Sequence, residues 1–290
     1  MATKSQGLLF GCLLVVGSFC LLVALFALLA GGHAGWPVLG GGQVGLVVIE
    51  GPIGNVRHLV DEIDANRTDD GVDAVVVRID SPGGEVAPAQ ELHAAISRLR
   101  DRKPVVASLG SVAASGGYYA AVAADSIVAN PGTLTGSIGV ILGFPTAAEL
   151  MDKIGVRYEV FTSGDFKDMG SFARRPREAE EAVFDGVVAD VYEQFLEAVM
   201  AGRNMTREEA LAIADGRIYT GRQALDAGLI DRIGDLHQSV LLAAELAGID
   251  GDPDLVRKAR PLAPVWYLLD RLLQGKVLAG GGPRLEYRFR

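Results

Sequence analysis

"VDAVVVRIDSPGGEVAPAQELHAAISRLR", residues 72–100, is the stretch on which the fold turns. Its opening, 72–81, is a nearly continuous β-branched run, which suits a strand buried on both faces of a parallel sheet. "SPGG" at 81–84 then punctuates the chain. From 85 to 100 the pattern becomes helical. Strand, glycine turn and helix make half of a βαβ unit, and the alternation repeats outward from it. Residues 44–53, 103–111, 126–131 and 156–164 read as further strands, and 115–124 as a second helix. A longer helix is expected over 177–201, where Val183, Val187, Val191, Phe195 and Val199 recur every four residues and form a broad apolar face. Thr206, with Glu209 three residues on, is the capping box of another helix. The fold class is therefore α/β. No internal repeat is seen, so 44–250 reads as one domain.

The ends differ from this body. Residues 7–30 are uncharged and long enough to cross a hydrocarbon core of about 30 Å as a helix. A cleavable signal peptide would need an apolar centre of only about 7–15 residues, although "GHA" at 32–34 resembles a cleavage site. Lys4 precedes the span and no Lys or Arg follows until Arg57, so residues 1–6 are placed in the cytoplasm and the bulk outside the cell membrane. Residues 31–43 read as a glycine-rich linker, and 251–290 as a C-terminal extension with an amphipathic stretch at 263–278. Both cysteines, Cys12 and Cys20, fall in the apolar span, which leaves the body no disulfide framework or thiolate metal site. A net charge of −9 argues against nucleic acid as a partner. There is no P-loop and no metal-ligand cluster, so no cofactor is expected.

Three glycine-bearing turns follow strands: "DSPGGEV" (80–86), "AASGGYY" (113–119) and "TGSIGV" (135–140). Open parallel sheets bind ligands at the carboxyl ends of their strands, where such turns lie. Gly83 and Gly84 can present backbone N–H groups without side-chain obstruction, as an oxyanion hole requires, or they can simply make a tight turn. Ser115 stands where a strand hands over to a helix, and Gly116 after it would offer a further N–H, as in nucleophile turns. A packing reading stands beside this one, in which residues 113–116 are small because two backbones approach closely. No histidine is well placed to activate Ser115. His33 is in the linker, His58 and His93 are in helices before it, and His237 opens a late helix. Lys167, in "GDFKDMGS" (164–171), could act as a base if dry surroundings such as Phe166 and Met169 lowered its pKa from about 10.4 toward the working range. Ser137 could orient the amine. The alternative is a solvated lysine paired with Asp165 or Asp168.

Taken jointly, "IDSPGGEV" (79–86), "GSVAASGGYYAAVAAD" (110–125), "NPGTLTGSIGVI" (130–141), "FKDMGSFARRPREAE" (166–180) and "GRIYTGRQALDAGLIDRIG" (216–234) resemble the signal peptide peptidase A family. These are membrane-anchored serine peptidases related to the Clp protease and crotonase folds, and the similarity runs from about Val44 to Gly234. The resemblance implies a Ser-Lys dyad with Ser115 as nucleophile and Lys167 as general base. It also implies Ser137 as the hydroxyl that holds the lysine, and oxyanion donors at Gly84 and Gly116, with Gly83 beside them. Both dyad residues lie in one half-length domain, as in the short members, which form homo-oligomeric rings whose dyads are completed by or face neighbouring subunits. The substrates implied are signal peptides left in the membrane after cleavage. "GSFARRP" departs from the family, which more often has proline soon after that serine. Rival readings are a peptidase of the same build that cuts a membrane scaffold protein, a crotonase-type acyl-CoA enzyme, and a catalytically silent assembly subunit.

Overall fold

The computed structural model describes residues 42–257 and 284–288. The apolar span 7–30, nearly all of the linker and most of the C-terminal extension lie outside the described residues.

β1 (Gln43–Glu50), β2 (Ala74–Ser81) and β4 (Val105–Ala114) form the centre of a parallel sheet. On its far sides lie β5 (Ser126–Ala129), β9 (Arg232–Ile233) and β10 (Asp254–Val256), giving the order β10-β1-β2-β4-β5-β9. The β-branched run at 72–81 is β2, the strand between β1 and β4. Its alternating side chains enter two different cores. Val75, Val77 and Ile79 pack with α1 (Arg57–Thr68) and α2 (Val86–Arg100), while Ala74 and Val76 join Val240 and Ala243 of α8 (Leu236–Leu246). A strand covered on both faces has no polar side to display, which is why its sequence does not alternate.

β4 is long enough to serve two partners. Its first half pairs with β5 and its end with β6 (Leu134–Gly136). Thr133 and Thr135 tighten that second junction by donating to the carbonyls of Gly110 and Ala113, each at 2.7 Å. β6 also pairs antiparallel with β8 (Ile218–Thr220). α3 (Gly116–Ala121) leaves the end of β4, and its buried Tyr118 hydroxyl donates to the Leu229 carbonyl at 2.8 Å. A smaller sheet lies apart, with β11 (Arg284–Arg288) antiparallel between β3 (Gly83–Glu85) and β7 (Ile141–Gly143).

The remaining helices are α4 (Ala148–Ile154), α5 (Glu178–Arg203), α6 (Arg207–Ile213) and α7 (Gly221–Asp226). Thr206 and Glu209 form the expected capping box at α6, with the Thr206 N–H donating to Glu209 at 2.8 Å. α5 buries its apolar stripe only from Val191 onward, whereas Val183 and Val187 are exposed.

One expected strand is absent. Residues 156–162 are irregular chain and 163–164 a bend; all are exposed and none has a sheet partner among the described residues. Their apolar pattern mimics a buried strand, but no strand among the described residues pairs with them.

Candidate active site

Ser115 is held by its neighbours on both sides. Its N–H donates to the Gly136 carbonyl at 2.8 Å, tying the end of β4 to the turn that carries Ser137. Its carbonyl accepts from Tyr119 N–H at 2.8 Å in α3. Between these anchors the backbone takes φ 54° and ψ −117°, a region that L side chains rarely occupy. The side chain is 1% exposed, and among the described residues its Oγ is the one buried hydroxyl without a hydrogen-bond partner. A serine chosen for packing would not need a left-handed backbone, and it would give its hydroxyl an acceptor. Both costs together mark a group held ready for something else.

The glycines around Ser115 divide in role. Gly116 opens α3, where an N–H has no acceptor within the helix. A Cβ at Gly117 would stand 2.9 Å from the Ser81 carbonyl, so close backbone approach is real at that position. It brings the end of β2 and its SPGG turn beside α3. Within that turn the Gly83 N–H donates to Ser81 Oγ at 3.1 Å, with Gly83 at φ 93°. Gly84 forms a bridge with Ile53, and a Cβ there would collide with the Ile53 carbonyl. The Gly83 donor is thus engaged within its own turn. Ser137, also in the left-handed region at φ 52°, is fixed by its N–H to the Arg217 carbonyl at 2.8 Å.

The structure therefore gathers Ser115, Gly116, Ser137 and the 81–84 turn at the carboxyl ends of β2, β4 and β6. Lys167 is placed differently. It lies on an exposed turn, and its ammonium has no hydrogen bond or ion pair among the described residues. Since Ser115 Oγ also has no partner, the two groups are not bonded within one chain. The pairing of Lys167 with Asp168 weighed from the sequence is also absent, because both Asp168 oxygens accept from Arg174 at 2.8 Å.

That arginine belongs to a network that the sequence does not signal. The guanidinium of Arg174 bridges Asp168 and Glu180, the latter fully buried and bonded at 2.6 and 2.8 Å. Glu180 also accepts from Arg177 Nε at 3.0 Å and from the Arg177 N–H at 2.9 Å. Hydrogen bonds from Arg174 and Arg177 hold the Glu180 carboxyl well below the usual range, and the hydrogen bond from Arg174 also lowers that of Asp168. "ARRPREAE" (173–180) looks like a solvated charge run, and only the third dimension reveals a buried member. His93 is a packing histidine, its ring 5.1 Å from that of Tyr119. Burial, with Arg100 nearby, lowers its pKa to about 4 and keeps it neutral.

The arrangement suits acyl transfer: an uncommitted hydroxyl, backbone donors beside it, and an amine on a separate loop. Comparison with known proteins agrees. Residues 97–250 match the model of peptidase family S49. A Synechocystis protein named as a protease is 44% identical over 192 residues, covering 65% of this chain and 69% of its own. The chloroplastic serine protease SPPA of Arabidopsis thaliana is 37% identical over 208 residues, covering 71% of this chain and 31% of its own. An Enterococcus faecium protein named as a signal peptide peptidase is 35% identical over 181 residues, covering 62% and 53%.

Proposed function

The chain belongs to peptidase family S49 and is a serine peptidase, and from that premise we propose that it cleaves apolar peptides at a membrane surface with a Ser115–Lys167 dyad. The observation that carries the assignment of the nucleophile is the buried, unpartnered Ser115 hydroxyl on its left-handed turn. Ser115 Oγ attacks the scissile carbonyl while neutral Lys167 takes its proton. The lysine then returns that proton to the leaving amine. Gly84 and Gly116 N–H groups stabilise the oxyanion, and Lys167 activates the water that frees the acyl group. Ser137 orients the amine.

For Lys167 to meet Ser115 and shed its charge, another surface must cover it. The chain supplies one. Ile154, Val156, Tyr158, Val160 and Phe166 are exposed around this loop, and Phe161 is 95% exposed. Apolar side chains this concentrated suit contact with a second copy, which would dry the amine. Completion of the dyad between subunits of a homo-oligomeric ring follows from this reading, with residues 7–30 as the anchor that holds it at the cell membrane.

Substrates would lie extended along β3. Support comes from β11, the chain's own segment, which runs antiparallel there with Tyr287 opposite Gly84 and Arg288 opposite Gly83. Main-chain pairing of this kind accepts many sequences. Remnant signal peptides fit, being apolar and released within the membrane.

Two results test the substrate site. An apolar peptide of signal-sequence character should be cleaved with higher kcat/KM than a polar one of equal length. Deleting residues 284–290 should lower KM severalfold with kcat unchanged, because the tail and the substrate compete for one strand edge. Equal use of both peptides would remove the signal-peptide reading, and an unmoved KM would place the substrate elsewhere.

Gly84→Ala checks the oxyanion donor. The alanine keeps its N–H, but the clash of its Cβ with the Ile53 carbonyl should push that donor out of place. An oxyanion donor out of reach costs about 100- to 1,000-fold in kcat, and the overpacking should destabilise the fold by about 1–3 kcal/mol. Gly54→Ala is the control, since a Cβ there meets open space. Full activity in Gly84→Ala would dismiss this donor.

A further inference from the structure

A lysine that must act as a neutral base is poorly served by a carboxylate next to it in sequence. An opposite charge within about 4–6 Å favours the protonated amine and raises its pKa by about 1–3 units. Asp168 follows Lys167 directly and is only 23% exposed, so water alone does not occupy it. Its two oxygens are taken by Nε and Nη2 of Arg174, both at 2.8 Å. The other edge of the same guanidinium is anchored on buried Glu180. Glu180 belongs to the first turn of α5, so the fork is fixed to a long helix and does not depend on the loop.

We propose that Arg174 is a positioning residue that withholds Asp168 from Lys167, leaving the amine free to lose its proton. The inference rests on the reading of Lys167 as the base. Arg174 satisfies one carboxylate from each side and so brings no uncompensated charge of its own. A lysine at position 174 could not do the same, because one ammonium lacks the planar fork that grips both oxygens of Asp168 while holding Glu180.

Other charged groups also lie around the loop. The nearest in sequence is the carboxylate of Asp165, which is exposed to water on the same turn and so is screened, unlike that of Asp168. On the loop itself, Arg177 is bound to Glu180 and to the Asp165 carbonyl, and it approaches Asp168 at 3.7 Å. On α4, which the Phe172 carbonyl touches through Ala147 N–H at 2.6 Å, Glu149 is paired with Arg175, and Asp152 and Lys153 are also present. The segment bearing Tyr158, whose ring lies 5.5 Å from that of Phe172, carries Arg157 and Glu159. Glu178 and Glu181 complete the first turn of α5. Of the two carboxylates flanking Lys167 on the loop, Asp168 is the part-buried one, and both its oxygens are bonded to Arg174.

The test compares the full chain with Arg174→Gln, Asp168→Asn and the double variant, measuring kcat/KM against pH on one peptide. In parallel, the Lys167 side-chain pKa is followed by NMR. Arg174→Gln should raise the lysine pKa and move the acidic limb of the profile upward by about one unit or more. That lowers kcat/KM about tenfold at a pH below the limb while KM stays nearly constant. Asp168→Asn alone should leave the limb in place, and the double variant should return it to the wild-type position. A purely structural role would not be rescued by removing a second partner. Should Arg174→Gln lose its assembly or melt early, Arg174→Lys provides the second variant. It keeps a cation beside Asp168 and should show a smaller shift in the same direction. An unmoved lysine pKa in both variants, or a double variant as impaired as the single, overturns the proposal. A lysine pKa that rises while the limb stays put upholds the role of Arg174 and removes Lys167 as the base, so the two failures are distinguishable.

Discussion

Ser115→Ala is expected to abolish peptide hydrolysis while melting at the same temperature as the wild type or higher. The two halves of that result have separate causes. Loss of a serine nucleophile lowers turnover by about a thousandfold or more, since base and oxyanion donors have nothing left to activate. Stability should move the other way. Ser115 Oγ is buried without a partner, and an unsatisfied buried hydroxyl costs about 1–3 kcal/mol. Alanine removes the hydroxyl and keeps the Cβ that packs against the surrounding small residues. For a domain of this size a gain of about 1 kcal/mol raises the melting temperature by about 2–4 °C. Ser115→Gly should melt higher still, because glycine also relieves the φ of 54°, and it should be equally inactive. A serine kept for packing would give the reverse pattern, with activity retained and stability lowered. Hydrolysis and thermal melts on the same preparations separate the two readings, and an active Ser115→Ala chain would dismiss Ser115 as the nucleophile.

That opposition of activity and stability could be anticipated only in part. The strand–turn–helix of 72–100 was legible because a strand between two helical layers must be apolar on both faces, and β2 is such a strand. The turn at Ser115 was legible as a site where a strand ends, but its φ was not, since nothing in "AASGGYY" requires the serine rather than a glycine to take the left-handed backbone. Residues 156–164 misled for a physical reason. A run of apolar and β-branched residues reports that a segment will be covered, without saying by what, and here no sheet among the described residues covers it. The broad apolar face of α5 misled similarly, because Val183 and Val187 in its first half stay exposed. The Arg174–Glu180 pair was illegible because charge in sequence looks the same whether solvated or buried.

Those two exposed apolar segments lead to the second large effect. Neither Ser115→Ala nor Lys167→Ala should hydrolyse peptide alone, yet the two inactive chains, dissociated together and reassembled, should regain activity. Ser115 and Lys167 are not bonded within one chain, and the chain leading into and through the lysine loop exposes Tyr158, Phe161 and Phe166. If the lysine reaches the serine of a neighbour, a junction is competent when the Lys167→Ala chain supplies the serine and the Ser115→Ala chain supplies the lysine. Random assembly in a closed ring from equal amounts makes about a quarter of the junctions competent. Activity per site should approach that fraction and vanish on dilution below the assembly threshold. Phe161→Asp on either chain should prevent the recovery, because a carboxylate cannot be buried at the contact without a partner. Assembly without recovered activity would mean that each lysine serves the serine of its own chain. The loop 164–171 would then have to fold back over α3, and that movement should be visible as protection of its amides from hydrogen exchange when the assembly forms.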